Sequence, residues 1–186
     1  MGKIFFSSDH HFGHKKLIEN KHRSFSDIEK MNDDLVEAWN STVDVNDTVY
    51  YVGDMFCCCK SDMASEIIKS LNGKIIYVLG NHDELIEKKK IDIKRFESIQ
   101  DLVELKTNKK LLVIFHYPIE VWRNAHHGSW HLHGHCHSSL TTANGPRLDI
   151  GIDNYYKLFG KYKPFSFEEV EKLLKDKIYS PVDHHN

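Results

Sequence analysis

Lys74-Ile75-Ile76-Tyr77-Val78-Leu79-Gly80-Asn81-His82-Asp83 is the stretch that decides the fold. An apolar run stops at a glycine and gives way to three polar side chains, the pattern of a strand entering a loop. Just upstream, a helix from about Asp62 to Leu71 ends at Asn72-Gly73, a common C-terminal stop. Before that helix, Thr48-Val49-Tyr50-Tyr51-Val52 reads as another strand and halts at Gly53-Asp54. Ile28, Met31, Leu35 and Trp39 recur at close to helical spacing, with Ser26 and Glu29 as a capping box at the start. Lys3-Ile4-Phe5-Phe6-Ser7 is the first strand and runs into Ser8-Asp9. The order β-α-β-α-β predicts parallel strands with crossover helices.

Downstream the pattern changes. Leu102 to Lys106 and Leu111 to Phe115 flank Thr107-Asn108-Lys109-Lys110, which suits a hairpin. Trp130 to His133 and Arg147 to Ile152 are further strands, with a turn over Thr141-Thr142-Ala143-Asn144-Gly145-Pro146 between them. Ser166 and Glu169 form a second capping box, opening a helix through Val170, Leu173 and Leu174. The expected closure is an α/β fold in which two mixed sheets pack face to face with helices outside, forming one domain over residues 1–186.

The 186 residues are 40% hydrophobic and 28% charged, as in an ordinary globular chain. A net charge of -2 offers no broad basic face, which argues against a long nucleic-acid ligand. No apolar run reaches the roughly 20 residues of a membrane span. Met1-Gly2-Lys3-Ile4-Phe5-Phe6 enters a strand at once, leaving no room for a signal peptide, so a cytoplasmic location is expected. Four cysteines do not make a disulfide framework at this size, and Cys57-Cys58-Cys59 lacks the spacer of a zinc ribbon. Reduced thiols are expected.

Histidine is the compositional outlier, with 14 copies. His184-His185 read as a frayed tail, but others stand where expected strands end. In order these motifs are Asp9-His10-His11, Gly53-Asp54, Gly80-Asn81-His82-Asp83, His116 and Gly134-His135-Cys136-His137. Singly, each has an ordinary explanation: a solvated loop, a turn, a helix cap or a histidine at a strand end. His135 and His137 point the same way if their segment is extended, with Cys136 turned away. His126, His127, His131 and His133 are not read as ligands; with Leu132 in the core, His131 and His133 fall on the opposite face.

Together the motifs resemble the calcineurin-like metallophosphoesterases. The match runs from Asp9 to His137, about seven-tenths of the chain, and no ligand position is vacant. Ser8-Asp9-His10-His11-Phe12-Gly13-His14 and His116-Tyr117-Pro118 resemble the small bacterial and phage members in particular. The resemblance implies a double β-sandwich with two divalent ions, one held by Asp9, His11 and His137, the other by Asn81, His116 and His135, and Asp54 bridging. Carboxylate, imidazole and amide donors suit manganese, the expected ion, or iron, zinc, nickel or magnesium. Two such ions clamp a phosphate and lower the pKa of a shared water, whose hydroxide attacks phosphorus.

By the same resemblance His82 is the general acid, with Asp83 holding its ring. His14 and Arg23 are candidates to meet substrate oxygens and Tyr117 to line the pocket; surface or packing roles are the alternatives. The expected activity is hydrolysis of a small phosphodiester, such as a nucleotide. The alternatives are a phosphomonoesterase, including a protein phosphatase, and a non-catalytic scaffold. Oligomeric state and physiological substrate are not encoded in any motif.

Overall fold

Alternation along the first three strands sets the layers. Val49 and Tyr51 join Phe5, Ile75 and Tyr77 in one apolar cluster, whereas Tyr50 and Val52 join Phe6 and Val78 in another. Each strand therefore buries both faces, as expected for a parallel sheet covered on both sides. The structure, a computed structural model, describes residues 2–142 and 144–182. Met1 at the chain start, Ala143 in the expected turn and the His184-His185 tail lie outside these residues.

The first half contains β1 (Ile4–Ser7), α1 (Lys16–Glu19), α2 (Ile28–Asn40), β2 (Thr48–Val52), α3 (Ser61–Ser70), β3 (Lys74–Val78) and α4 (Glu84–Glu87). The second contains β4 (Phe96–Gln100), β5 (Leu102–Thr107), β6 (Lys110–Phe115), β7 (Trp130–His133), β8 (Arg147–Asp149), α5 (Ile152–Phe159), β9 (Phe165–Ser166) and α6 (Phe167–Leu174). One sheet has the order β4-β3-β2-β1-β9 and is parallel except for β9. The other has the order β5-β6-β7-β8 and is parallel except for the β5–β6 hairpin. The two mixed sheets pack face to face through Phe6, Val52 and Val78 against Leu112, Ile114, Trp130 and Leu132. Met31, Leu35 and Trp39 of α2 and Ile67 and Ile68 of α3 cover the outer face of the larger sheet.

Several boundaries differ from the sequence reading for local reasons. The cap of α2 is Asp27, whose carboxylate accepts from the Lys30 N–H at 2.7 Å; the Ser26 hydroxyl only donates to Asp27. The expected strand from Arg147 to Ile152 stops at Asp149, because Gly151 caps α5 and Ile152 is its first residue. β4 follows the larger sheet's register and reaches β5 with only Asp101 between them. The capping box at Ser166 is as expected, both reciprocal bonds being present. No helix among the described residues is long and apolar enough to cross a membrane.

Because β1, β2 and β3 run parallel, as do β6 and β7, their carboxyl ends gather at one edge of the sandwich. That edge is where open α/β sheets place their ligands. Cross-links hold its loops: Asp9 N–H donates to Gly53 O, His11 N–H to Asp54 O, and Gly134 N–H to His116 O.

Candidate metal centre

The loops leaving these strands turn by left-handed backbone. Asp9, His11, Asp54, His135 and His137 all have positive φ, between 45° and 67°. Asp and His tolerate this region better than most residues. Gly134–His137 is therefore not extended, contrary to the sequence expectation, yet both imidazoles still reach the site. Gly53, at φ +81°, has room only for hydrogen; a Cβ there would sit 2.4 Å from His116 Nδ1. A Cβ on Gly134 would meet Asp9 Oδ2 at 2.5 Å.

Two groups of donor atoms result, Asp9 with His11 and His137, and Asp9 with Asp54 and His116, each within 4.8 Å. His11 Nε2 lies 3.2 Å from His137 Nε2 and 3.8 Å from Asp54 Oδ2. His116 Nε2 lies 3.5 Å from the same Asp54 oxygen and 3.1 Å from Asn81 Oδ1. Asn81 Oδ1 in turn lies 2.9 Å from His135 Nδ1. Asp9 is common to the two groups, Asp54 Oδ2 lies near both His11 and His116, and Asn81 links His116 to His135.

The tautomers make this more than proximity. His137 Nδ1 donates to Asp153 Oδ2 at 2.6 Å, and His116 Nδ1 donates to the Val52 carbonyl at 2.8 Å. In neutral rings both Nε2 atoms then present lone pairs toward other acceptors, an arrangement that needs a cation or a proton between them. Burial lowers His116, but the Asp54 hydrogen bond and the Asp9 charge outweigh it and lift the group to about 9. Burial raises Asp9 to about 7 against the pull of His137 and His116. Oxygen and imidazole donors with no thiolate fit hard or borderline divalent ions.

A supporting layer holds these side chains, and it reassigns two residues. Arg23 does not face a substrate. Its buried guanidinium donates to the Asp9 and His10 carbonyls at 2.6 and 2.5 Å and to both Asp153 oxygens at 2.8 Å. Asp83 does not hold the His82 ring. Its carboxylate accepts from Gly80 N–H at 2.6 Å, Asp54 N–H at 3.1 Å and the Tyr77 hydroxyl at 2.7 Å, fixing the loop that presents Asn81 and Asp54. Asp153 was not foreseen, because the strand expected up to Ile152 concealed the first turn of α5, on which it lies. Burial raises it, but the His137 bond and the Arg23 charge hold it below the usual carboxylate range. His10, inside the first motif, faces inward against Tyr51, and burial drives it down to about 3.

His82 is exposed, with its ring centroid 5.4 Å from that of His11 and its N–H donating to Asp54 Oδ1 at 2.8 Å. His14 is half-buried beside His11, and together with Cys57 they form another compact donor group. Tyr117 is partly exposed and packs edge-on to His116 and His135. All four cysteines are unpaired thiols.

Two cavities with no lining residue in common adjoin the centre. One, of about 410 Å³, is lined by Asn81, His82, Cys57 and Leu85 among others. The other, of about 700 Å³, adjoins His135 and His137 and is walled by α5 and the loop after α1.

No family model matches the chain. The Gene 66 protein of Mycobacterium phage L5 is 24% identical over 99% of this chain and 96% of its own. The crystal structure of the protein of unknown function AQ665 from Aquifex aeolicus superposes with a TM-score of 0.69 at 24% identity, covering 94% of this chain and 100% of that one. That likeness establishes the fold. The uncharacterized protein MJ1445 of Methanocaldococcus jannaschii is 31% identical over 98% of this chain and 98% of its own length. Identity at that level over nearly both whole lengths places the chain in the family of MJ1445.

Proposed function

We propose that the chain is a calcineurin-like, two-metal phosphodiesterase acting on a small nucleotide or a similar diester. The observation that supports the reading is the gathering of donor atoms: Asp9 with His11 and His137, Asp9 with Asp54 and His116, and Asn81 within hydrogen-bond distance of His116 and His135. Asp9, His11 and His137 would hold the first ion, Asn81, His116 and His135 the second, with Asp54 shared. Divalent ions, manganese foremost, supply Lewis-acid stabilisation of phosphoryl oxygens and a water of lowered pKa.

The chain's own part is to orient and to move a proton. Asp153 fixes the His137 tautomer, and Val52 that of His116, so that both Nε2 lone pairs point inward. Asp83 and Gly80 place Asn81. His82, on the rim with its ring toward His11, stands where it can give a proton to the oxygen leaving phosphorus as water oxygen bonds to it. Two separate cavities adjoining the centre favour a diester, with one arm in each, over a monoester, which has a single arm.

Stripped protein titrated with manganese and assayed on bis-p-nitrophenyl phosphate tests this. Metal-dependent turnover that is absent in Asp54→Asn is the expected result. On a diester with an alkyl leaving group, whose departing oxygen needs that proton, His82→Ala should keep both ions and lose about 10²–10⁴-fold in kcat. Wild-type rates in His82→Ala would remove it from the reaction, and two tightly bound ions without turnover on any ester would point to a scaffold.

A further inference from the structure

The larger cavity beside the centre carries a second set of chemical features. It is lined by His135 and His137, by Leu17 and His22, and by Tyr156 and Tyr162. Tyr156 remains 45% exposed although its ring is stacked on Tyr162, with centroids 4.5 Å apart and planes 16° from parallel. Tyr162 rests in turn on Phe25 at 5.3 Å. One face of the Tyr156 ring is therefore braced and the ring stays in contact with solvent, as in a platform for another aromatic ring.

The platform is also tied to the chemistry. Tyr156 lies one helical turn after Asp153 on α5, so the two share a face of the helix. Asp153 holds His137 through a 2.6 Å bond and Arg23 through a paired one, so the tyrosine stack is fixed relative to the metal ligands.

We propose that this cavity is a base-binding subsite, in which Tyr156 stacks on the nucleobase of a nucleotide diester while the phosphate lies at the metal centre. This inference rests on the phosphodiesterase reading and adds to it which arm goes where. His82 lines the other cavity, so the alcohol that leaves departs into that cavity and the nucleoside stays on phosphorus. Water adds to phosphorus, the bond to the leaving oxygen breaks, that oxygen takes the proton from His82, and a nucleoside monophosphate remains. Stacking of this kind tolerates any base, because every base offers a π face.

The test uses manganese-loaded full-length protein and three esters with one leaving group: thymidine 5′-p-nitrophenyl phosphate, hexyl p-nitrophenyl phosphate and methyl p-nitrophenyl phosphate. The nucleoside ester should exceed the methyl ester in kcat/KM by about tenfold or more, mainly through KM, which corresponds to about 1.4 kcal/mol. Tyr156→Ala should bring that ratio close to one, and Tyr156→Phe should keep it. A ratio near one in the wild type, a ratio unchanged in Tyr156→Ala, or a hexyl ester as good as the nucleoside ester would each overturn the subsite. Failure of all three esters would instead sink the diesterase reading. Calorimetry with thymidine 5′-monophosphate against methyl phosphate then decides the subsite alone: tighter binding of the nucleotide, lost in Tyr156→Ala, supports it, and equal affinities overturn it.

Discussion

His131-Leu132-His133 and His135-Cys136-His137 have the same spacing, lie end to end in the chain, and have opposite fates. The first pair is in regular β7 and is buried. His131 Nδ1 donates to the Val113 carbonyl at 2.9 Å and its Nε2 accepts from Ile119 N–H at 3.2 Å, while His133 Nδ1 donates to the Gly134 carbonyl at 2.9 Å. Burial drives them down to about 4 and about 3. The second pair sits on left-handed backbone, and its ring nitrogens face Asn81 Oδ1, His11 Nε2 and the Asp153 carboxylate. Spacing does not separate structural from ligating histidines; the groups that meet each ring do. A ring whose nitrogens meet main-chain groups is satisfied, whereas one whose free lone pair meets other acceptors is incomplete without a cation.

The sharpest way to break this contrast is to remove one member from each pair. His137→Ala should lose an ion and more than about 100-fold in turnover, beyond what loss of an outer partner costs. His131→Ala should keep its metal content but lose about 1–3 kcal/mol of stability, because the Val113 carbonyl and the Ile119 N–H lose their partner. Elemental analysis and thermal denaturation of both variants decide, and exchanged phenotypes would refute the distinction.

A weaker effect sharpens the role of the supporting layer. Asp153→Asn should weaken manganese binding roughly 10–100-fold, since an amide there no longer accepts with full charge from His137. Unchanged affinity by calorimetry would demote Asp153 to an anchor for Arg23 alone. A further effect is graded by pH, about tenfold at each step. Asp9, raised to about 7, and His116, raised to about 9, must both shed protons before they coordinate. Manganese affinity of the stripped protein should therefore rise with pH through both values, about tenfold per unit where one proton is displaced. Burial leaves His131 and His133 neutral over that window, so they contribute nothing to the slope. Affinity that falls as pH rises would contradict the ligand set.

The parallel half of the fold was legible because its apolar runs end at Gly53, Gly73 and Gly80 and its helices keep their period. The convergence of the motifs was legible for the same reason, since parallel strands put their ends on one edge. β4 was hidden because only Asp101, with no turn signal, parts it from β5. α5 was hidden because Ile150-Gly151-Ile152 continues an apparent strand. Alternation correctly set His131 and His133 opposite Leu132, but not that Trp122 and its loop bury that face as well. The roles of Arg23 and Asp83 turned on which polar groups surround them once buried, which no spacing records.

The positive φ angles of Asp9, His11, Asp54, His135 and His137 have an evolutionary consequence. Left-handed backbone costs a non-glycine residue on the order of 1 kcal/mol, and glycine nothing comparable. Selection for heat tolerance alone, in medium without metal, would therefore favour glycine at these five positions and erase the centre while leaving the sandwich whole.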